Sequence, residues 1–400
     1  MQYRKLKETE LTDLKKLQSI VYFMKFDKDE PAKEPEYDKI RWQYARGAFT
    51  DDGKLAAVLE MSPFKAYLDG VAIGSPGIAG IATLLEHRRS GAVKNLLKNA
   101  YKEMYENGDV MSYLYPFSHE YYRKYGYAQG SYADKFEVEI NQFKTFETQG
   151  YTKQFFPGDS LDDIKAVYEK FASKYNCCIA REDWRWNRLF LKDPYTTGDR
   201  VFIRYNTADQ AIAYIRFKEK VIDIDIEAYK YDMEVIEAAW TDTEGISGLL
   251  SIINGFNGDL QKIRMCTPPG FPIELLVKEI WELEVTRWYT GMSRIINAQK
   301  ALEIIKKPET AGKVIVELYD EHAPWNTGNW LIEWDRLGSR VVKTDEEPDL
   351  KCDASSFTQL ITGYMSLTQI RLKTDIEIIK NTEILKKLFI KKPCFIWDRF

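Results

Sequence analysis

The sequence predicts an α/β (α+β) protein whose strands form mixed sheets. Over residues 1–150, strand and helix patterns follow the order strand, helix, several strands, helix, strand, helix, strand, which is typical of such a fold. Residues 151–290 repeat this order without repeating the sequence, and residues 291–400 again mix both patterns. Because 400 residues suffice for two to three domains, we expect domains at 1–150, 151–290 and 291–400.

Composition narrows the class of protein. Hydrophobic residues make up 44% and charged residues 30%, which is ordinary for globular proteins, and the net charge of −4 provides no basic field for nucleic acid. No run of 18 apolar residues predicts a membrane span, and the charged N-terminus lacks an apolar signal core. Five cysteines without a CxxC pair and three scattered histidines favour no metal site and a cytoplasmic, reducing location.

The first domain has recognisable elements before its functional motifs. Residues 2–7 fit a strand, and apolar residues at helical spacing predict a helix over 9–22. The polar segment 27–35 carries two prolines and is expected to be a loop. Asp52-Gly53 and Asp69-Gly70 each separate two apolar stretches, which predicts two β-hairpins.

A basic turn lies between a strand and a helix in residues 81–93, IATLLEHRRSGAV. A helix start has unpaired N–H groups and a partial positive charge; Arg88 and Arg89 add two full charges, and Gly91 lets backbone approach a ligand. This pattern favours a phosphate or pyrophosphate site, although it is neither a Walker loop nor a GxGxxG turn. A basic turn that merely caps a surface helix would look similar.

A tyrosine-rich segment, YYRKYGY, follows at residues 121–127, one helix and one strand after the basic turn. A phenol with a pKa near 10 can donate a proton to a leaving thiolate. Dense aromatic residues also occur in cores, and the chain has 25 tyrosines. Residues 88–92 resemble the Arg-x-x-Gly-x pyrophosphate loop of the GNAT acetyltransferases, with Val93 where Gly or Ala is usual. The tyrosine segment resembles their Phe-Tyr-x-x-Phe-Gly-Phe segment, with Tyr122 in the place of the tyrosine that faces the thioester sulfur.

The second domain resembles a GNAT fold without the loop. Its equivalent segment, residues 241–245, has no arginine and carries Asp242 and Glu244, which would repel a pyrophosphate. We therefore expect a degenerate GNAT repeat that does not bind CoA. Together with Glu237, these carboxylates could attract a cationic substrate or could simply form a solvated face.

The third domain is expected to begin with an amphipathic helix, MSRIINAQKALEII, at 292–305. Alternating strands and two helices, at 355–365 and 382–388, follow. The region resembles the sterol-carrier-protein-like domain that follows two tandem GNAT folds in the enhanced intracellular survival (Eis) acetyltransferases of bacteria. That family resembles the chain over its whole length through HRRSG, YYRKYGY, MSRIINAQKAL, SSFTQLITGY and a C-terminal Phe; Ser90, where a third Arg is common, and the 27–35 loop depart from it.

The resemblance implies an N-acetyltransferase that transfers acetyl from acetyl-CoA to a primary amine, aminoglycoside-like or lysine-like, in a ternary complex. It also implies a homo-oligomer, possibly a hexamer, and the tryptophans of 184–186 and 325–334 could line an interface or the core. The alternatives are transfer of another acyl group and a non-catalytic, lipid-binding double-GNAT protein. The implied roles are backbone contacts to pantetheine from Ile81 and Thr83, pyrophosphate binding by Arg88, Arg89, Ser90 and Gly91, a catalytic acid at Tyr122, and a base at the terminal carboxylate of Phe400, with Asp398 as its rival.

Overall fold

The computed structural model describes residues 1–26, 35–224 and 229–399, which form two compact units. The first unit combines residues 1–130 and 291–392 with Arg399, and the second combines residues 131–290 with 393–398. Parallel and antiparallel strand pairs occur in both units, so the prediction of an α/β protein with mixed sheets is confirmed.

The N-terminal part of the first unit is built on a sheet of order β1-β2-β3-β6-β7-β17-β8, in which β17 (Met292–Ile295) comes from the C-terminal part of the chain. Between β4 and β5, Asp69 and Gly70 have φ of 51° and 86°, as the predicted two-residue hairpin requires. The elements of this part are β1 (Gln2–Lys5), α1 (Leu11–Val21), α2 (Pro35–Tyr44), β2 (Ala45–Phe49), β3 (Leu55–Ser62), β4 (Lys65–Leu68), β5 (Val71–Gly74), β6 (Gly77–Thr83), α3 (Ala92–Asn107), β7 (Met111–Leu114), α4 (His119–Arg123) and β8 (Ala128–Gln129).

The second unit has a sheet of order β10-β12-β13-β14-β15-β9-β16. As in the first unit, a parallel strand pair, β14 and β15, is joined through a helix, α8. Its elements are β9 (Tyr132–Glu139), β10 (Tyr151–Gln154), α5 (Asp162–Ala172), β11 (Ile179–Ala180), α6 (Asp183–Phe190), α7 (Pro194–Thr197), β12 (Arg200–Tyr205), β13 (Ala211–Ile224), β14 (Tyr229–Trp240), α8 (Thr243–Asn254), β15 (Lys262–Thr267) and β16 (Glu284–Tyr289).

The C-terminal part of the first unit adds a sheet of order β20-β19-β18-β21-β22. Within the described ranges, no helix is both long enough and apolar enough to cross a bilayer. The elements of this part are β17 (Met292–Ile295), α9 (Ala298–Ile304), β18 (Gly312–Tyr319), β19 (Gly328–Trp334), β20 (Ser339–Thr344), β21 (Leu350–Asp353), α10 (Ala354–Thr362), α11 (Leu367–Ile370), β22 (Ile376–Ile378) and α12 (Thr382–Leu388).

The prediction of one helix over 292–305 is wrong in its first half. Met292–Ile295 is the strand β17, which pairs with β7 on one side and β8 on the other, and all four of its residues are buried. Two-sided strand pairing outweighs the local helical spacing of these residues. The domain boundaries at 150 and 290 stay a prediction, but β9, placed by sequence in the first domain, pairs with β15 and β16 of the second unit.

Candidate active site

The candidate site begins where two parallel strands of the first unit part. β6 and β7 pair only through Gly77 with Tyr113 and Ile78 with Leu114. The rest of β6, which contains Ile81 and Thr83, therefore has a neighbouring strand only on its β3 side, within the described residues. A gap of this kind exposes backbone groups of β6 to a ligand.

A β-bulge bends β6 in the half that pairs with β3 but not with β7. Gly80 and Ile81 both lie opposite Leu59, because Val58 pairs with Ala82 and Glu60 pairs with Ala79. Gly80 has φ of 58°, and a Cβ there would lie 2.4 Å from Glu60 Oε1, so both the backbone angle and the space require glycine.

Buried polar side chains behind the bulge were missed by the sequence reading. Gln18 Nε2 donates to the Gly80 carbonyl at 3.1 Å and to Glu60 Oε1 at 2.6 Å. Arg41 donates to both oxygens of Glu60, at 2.6 and 3.0 Å, and to Gln18 Oε1. The one signal in the sequence was Glu60 itself, a lone carboxylate in the apolar strand LAAVLEMS. These contacts hold the bulge from one side.

The basic loop leads from β6 to an uncapped helix start. Gly91 is the N-cap of α3, with φ of 81°; it has no capping side chain, and no acidic residue lies in the first turn. Arg88 and Arg89 are exposed, and neither forms an ion pair with a described residue. A Cβ on Gly91 would meet no atom of a described residue within 4 Å, so these residues leave the space beside the helix start open. This arrangement fits an anionic ligand.

Other residues of the loop differ in their availability. The Ser90 hydroxyl donates to the His87 carbonyl at 2.7 Å, so it stabilises the loop itself. Val93, where the loop consensus is smaller, packs against the core cluster that also contains Tyr122. Thr83 Oγ1 is buried and has no hydrogen-bond partner among the described residues, which leaves a polar group for a ligand in the half of β6 that has no neighbouring strand on its β7 side.

Tyr122 lies on the short helix α4, which the Ser118 side chain caps through the Tyr121 amide. Its side chain is buried, 4% exposed, and its hydroxyl bonds no described residue. Burial, followed by the neighbouring hydroxyls of Tyr121 and Tyr22, raises the pKa of Tyr122, so the phenol stays protonated at neutral pH. Ile81 packs against the same core cluster, which brings the strand, the helix start and the tyrosine together.

Tyr22 is a further residue that the sequence reading did not identify. Its hydroxyl donates to the Ile81 carbonyl at 2.8 Å, directly at the bulge. Burial raises the pKa of Tyr22, and the charge of Glu60 adds to this effect. Tyr22 therefore contacts the bulge directly and lies close enough to Glu60 and to Tyr122 to interact with both electrostatically.

The two proposed carboxylate bases have different positions. Phe400 lies outside the described residues. Asp398 belongs to the second unit and is buried between Arg181, at 3.0 Å, and Arg185, at 2.8 Å. Burial alone would raise the pKa of Asp398, but the two guanidinium charges lower it overall, so this carboxylate is a poor proton acceptor.

The three acidic residues considered above differ in their burial: Glu237 is buried, whereas Asp242 and Glu244 are exposed. Glu237 is buried, accepts from Arg181 Nη1 at 2.8 Å and also bonds the Tyr214 hydroxyl. Asp242 caps α8 by accepting from the Gly245 amide at 3.0 Å, and only Glu244 is exposed without such a role.

The tryptophans named above are mostly core. Trp186, Trp330 and Trp334 are buried, whereas Trp184 is 36% exposed. The most exposed tryptophan of the described chain, Trp281 at 96%, lies just before β16 and outside the segments named from sequence. Within the described residues, no cluster of three or more His, Cys, Asp or Glu side chains could hold a metal ion.

Comparison with known proteins accords with this geometry. The acetyltransferase (GNAT) domain model matches residues 2–130, and the sterol carrier protein domain model matches residues 292–397. An uncharacterised N-acetyltransferase of Streptomyces avermitilis is 22% identical over 75% of each chain, and another from Streptomyces coelicolor is 21% identical over 84% of this chain and 83% of that one.

Solved structures match over the full length. A probable N-acyltransferase from Enterococcus faecalis V583 has a TM-score of 0.85 at 22% identity, covering 100% of this chain and 99% of that chain. Eis1 from Mycobacterium abscessus has a TM-score of 0.81 at 16% identity and full coverage of both chains. The protein is therefore a GNAT N-acetyltransferase with a C-terminal sterol carrier protein domain, and a GNAT enzyme uses an acyl-CoA as co-substrate. Its overall architecture is that of Eis1 and the Eis-like double-GNAT proteins.

Proposed function

We propose that this enzyme transfers an acetyl group from acetyl-CoA to a primary amine of a cationic small molecule, such as an aminoglycoside, or of a lysine side chain. The observation that carries the proposal is the open, uncapped start of α3 beside two arginines that form no ion pair with a described residue, with a buried, protonated tyrosine in the same core cluster. Acetyl-CoA, when bound, would supply the activated acetyl thioester.

The chain's own residues divide the binding task. Arg88, Arg89 and the Gly91 helix start would bind the pyrophosphate through charge and backbone N–H groups, with Ser90 shaping the loop. Backbone groups of Ile81 and Thr83 would contact the pantetheine arm along the unpaired edge of β6. The Thr83 hydroxyl, which bonds no other described residue, supports a polar contact there.

Proton transfer would use two groups. Tyr122 would protonate the leaving thiolate. Its raised pKa keeps the proton on the phenol until the thioester bond breaks and negative charge develops on the sulfur. The terminal carboxylate of Phe400, which is ionised at neutral pH, would accept the proton of the attacking ammonium. The engagement of Asp398 with two arginines favours Phe400 over its rival.

The experiment measures release of free CoA thiol with aminoglycosides, polyamines and lysine peptides, using acetyl-CoA and longer acyl-CoA in parallel. Turnover with a longer acyl-CoA but not with acetyl-CoA would mean that the enzyme transfers another acyl group. No turnover with any amine, together with tight lipid binding, would favour a lipid-binding protein. Tyr122→Phe should lower kcat about 10²-fold, whereas the matched Tyr121→Phe should not. Residues appended after Phe400 should slow turnover by a similar factor of about 10².

We also propose that the protein is a homo-oligomer, possibly a hexamer. Exposed apolar side chains at Trp281, Val285, Trp288 and Tyr289 support an interface on the second unit. Light scattering that gives the 46.7 kDa monomer mass at every concentration would contradict assembly.

A further inference from the structure

A buried ion pair lies directly behind the tyrosine segment. Arg294, on β17, is fully buried, and its Nη2 donates to both oxygens of Asp320, at 2.6 and 2.8 Å. Its Nη1 donates to the Tyr125 carbonyl, and its guanidinium lies 4.4 Å from the centroid of the Tyr101 ring. One arginine thus joins the sterol carrier protein domain to the backbone that follows Tyr122.

The glycine of the tyrosine segment is explained by this arginine. Gly126 has φ of 82°, and a Cβ there would lie 1.6 Å from Arg294 Nη1. The aromatic-Gly-aromatic order of Tyr125, Gly126 and Tyr127 therefore leaves room beside the backbone for the guanidinium that β17 contributes.

A histidine makes a second contact of the same kind. His322 Nε2 lies 2.8 Å from the Lys124 carbonyl, and since a carbonyl only accepts, Nε2 carries the proton. Burial lowers the pKa of His322, which keeps the ring neutral at pH 7. Asp320 holds the histidine loop by accepting from the amides of His322 and Ala323.

These contacts matter because α4 cannot fix its own position. It spans only five residues, and such a short helix depends on tertiary contacts. The carbonyls of Lys124 and Tyr125 follow its last turn, where a helix leaves acceptors unpaired. The Lys124 carbonyl accepts from His322, and the Tyr125 carbonyl accepts from Arg294 and from the Tyr101 hydroxyl.

We propose that Arg294, Asp320 and His322 are positioning residues for the acid Tyr122, so that the sterol carrier protein domain completes the acetyl-transfer site. This inference rests on the proposed role of Tyr122. A displacement of about 1 Å at a reacting group can cost about 10²-fold in rate, whereas binding of the co-substrate through the basic loop should be unaffected.

The test compares His322→Gln with His322→Asn. The Gln amide nitrogen can take the place of Nε2 and keep the donor at the Lys124 carbonyl, but the Asn side chain is one methylene too short. We expect kcat of the Asn variant to fall about tenfold or more below that of the Gln variant. KM for acetyl-CoA should stay within about twofold, and the melting temperatures of the two variants should be similar.

A double-mutant cycle separates positioning from a general structural role. If His322 acts through the Tyr122 hydroxyl, His322→Asn should have little further effect on kcat in a Tyr122→Phe background. Equal kcat for the Gln and Asn variants, or losses that multiply in the double variant, would overturn the inference. Full activity of Tyr122→Phe alone would instead refute the acid role itself.

Arg294→Lys provides an independent variant, since lysine keeps the charge beside Asp320 but lacks the fork that reaches both partners. We expect the same loss of kcat at unchanged KM for acetyl-CoA. Wild-type kcat in a folded Arg294→Lys protein would also overturn the inference. Val314→Ala, in the core of the same domain, should lower the melting temperature and leave kcat unchanged.

Discussion

The two units each place a helix after the first of two parallel strands, but the two helix starts differ in their partners. The N-cap of α3 is Gly91, which has no side chain, and no acidic residue lies in the first turn. The N-cap of α8 is Asp242, whose carboxylate accepts from the Gly245 amide at 3.0 Å, and Glu244 lies in the first turn. The N–H groups at the start of α3 are thus available to an external anion, whereas at the start of α8 the Asp242 carboxylate already accepts from one of them.

The strands that precede the two helices, β6 before α3 and β14 before α8, also differ in whether their polar groups have partners within the protein. The bulge in β6 is formed by Gly80 and Ile81, beside a gap in the sheet. The pairing of β13 with β14 shifts between Arg216 and Phe217, and Glu237 of β14 lies next to that shift. Glu237 is buried against Arg181. Glu237 and Arg181 of the second unit therefore pair with each other, and we infer that this unit does not bind the pyrophosphate of CoA.

Fold alone does not make a binding site in this protein. A GNAT-like strand-helix-strand order is present in both units, but among the described residues the start of α3 lies beside arginines without a carboxylate partner, whereas the segment before α8 contains no arginine. The arginines of the loop are exposed, whereas Arg181 and Arg185 are satisfied by carboxylates. Ligand binding follows from what the protein leaves unpaired.

The largest expected effect is on the stability of the second unit. Asp398→Asn should lower the free energy of unfolding by about 3–5 kcal/mol, because Arg181 and Arg185 would lose a buried counter-charge. Urea denaturation measures this loss. Asp183→Asn is the control: its side chain is 83% exposed, so the expected loss is below about 1 kcal/mol.

The same carboxylate gives this stability a pH dependence. The pKa of Asp398 is lowered from its usual 3.8 in the folded protein, so its contribution is present above that pH and is lost as the pH falls through the lower, folded value. The stability difference between wild type and Asp398→Asn should therefore shrink below pH 3.8. A variant of unchanged stability with turnover about 10²-fold slower would instead make Asp398 the base.

A smaller effect is expected from charge reversal in the first unit. Arg88→Glu should weaken acetyl-CoA binding at least about tenfold by placing an anion against the pyrophosphate. The melting temperature should not change, since Arg88 is exposed and has no carboxylate partner among the described residues. Calorimetry measures the affinity, and Asp242→Lys is the matched reversal, expected to leave it unchanged. If both variants lost the same acetyl-CoA affinity, the assignment of CoA binding to the start of α3 alone would be wrong.

Local patterns in the sequence were sufficient for the basic loop, the hairpins and the start of α3, because turn chemistry and helix periodicity act over a few residues. Ala92 begins α3 as expected, and the 69–70 turn has the expected angles. Met292–Ile295 was misjudged because its strand character comes from pairing with β7 and β8, which lie far away in the chain.

The buried polar contacts could not be predicted for the same reason. Glu60 meets Gln18 across 42 residues of chain, and Arg294 meets the Tyr125 carbonyl across 169. Sequence spacing carries no signal for such partners. A charge inside an apolar strand predicts only that some partner exists.

The smallest expected effect concerns the cap that distinguishes the two helix starts. Asp242→Ala should lower the free energy of unfolding by about 1 kcal/mol, through loss of the bond to the Gly245 amide, whereas Asp242→Asn should cost less because Asn also caps well. Thermal melting of the two variants measures the difference. Without its cap α8 resembles α3 in its free N–H groups but still lacks the arginines, so calorimetry should find the same acetyl-CoA stoichiometry per chain in Asp242→Ala as in wild type. A second binding event in that variant would mean that the cap alone closes the second unit to CoA, and that the arginines of the first unit add affinity rather than create the site.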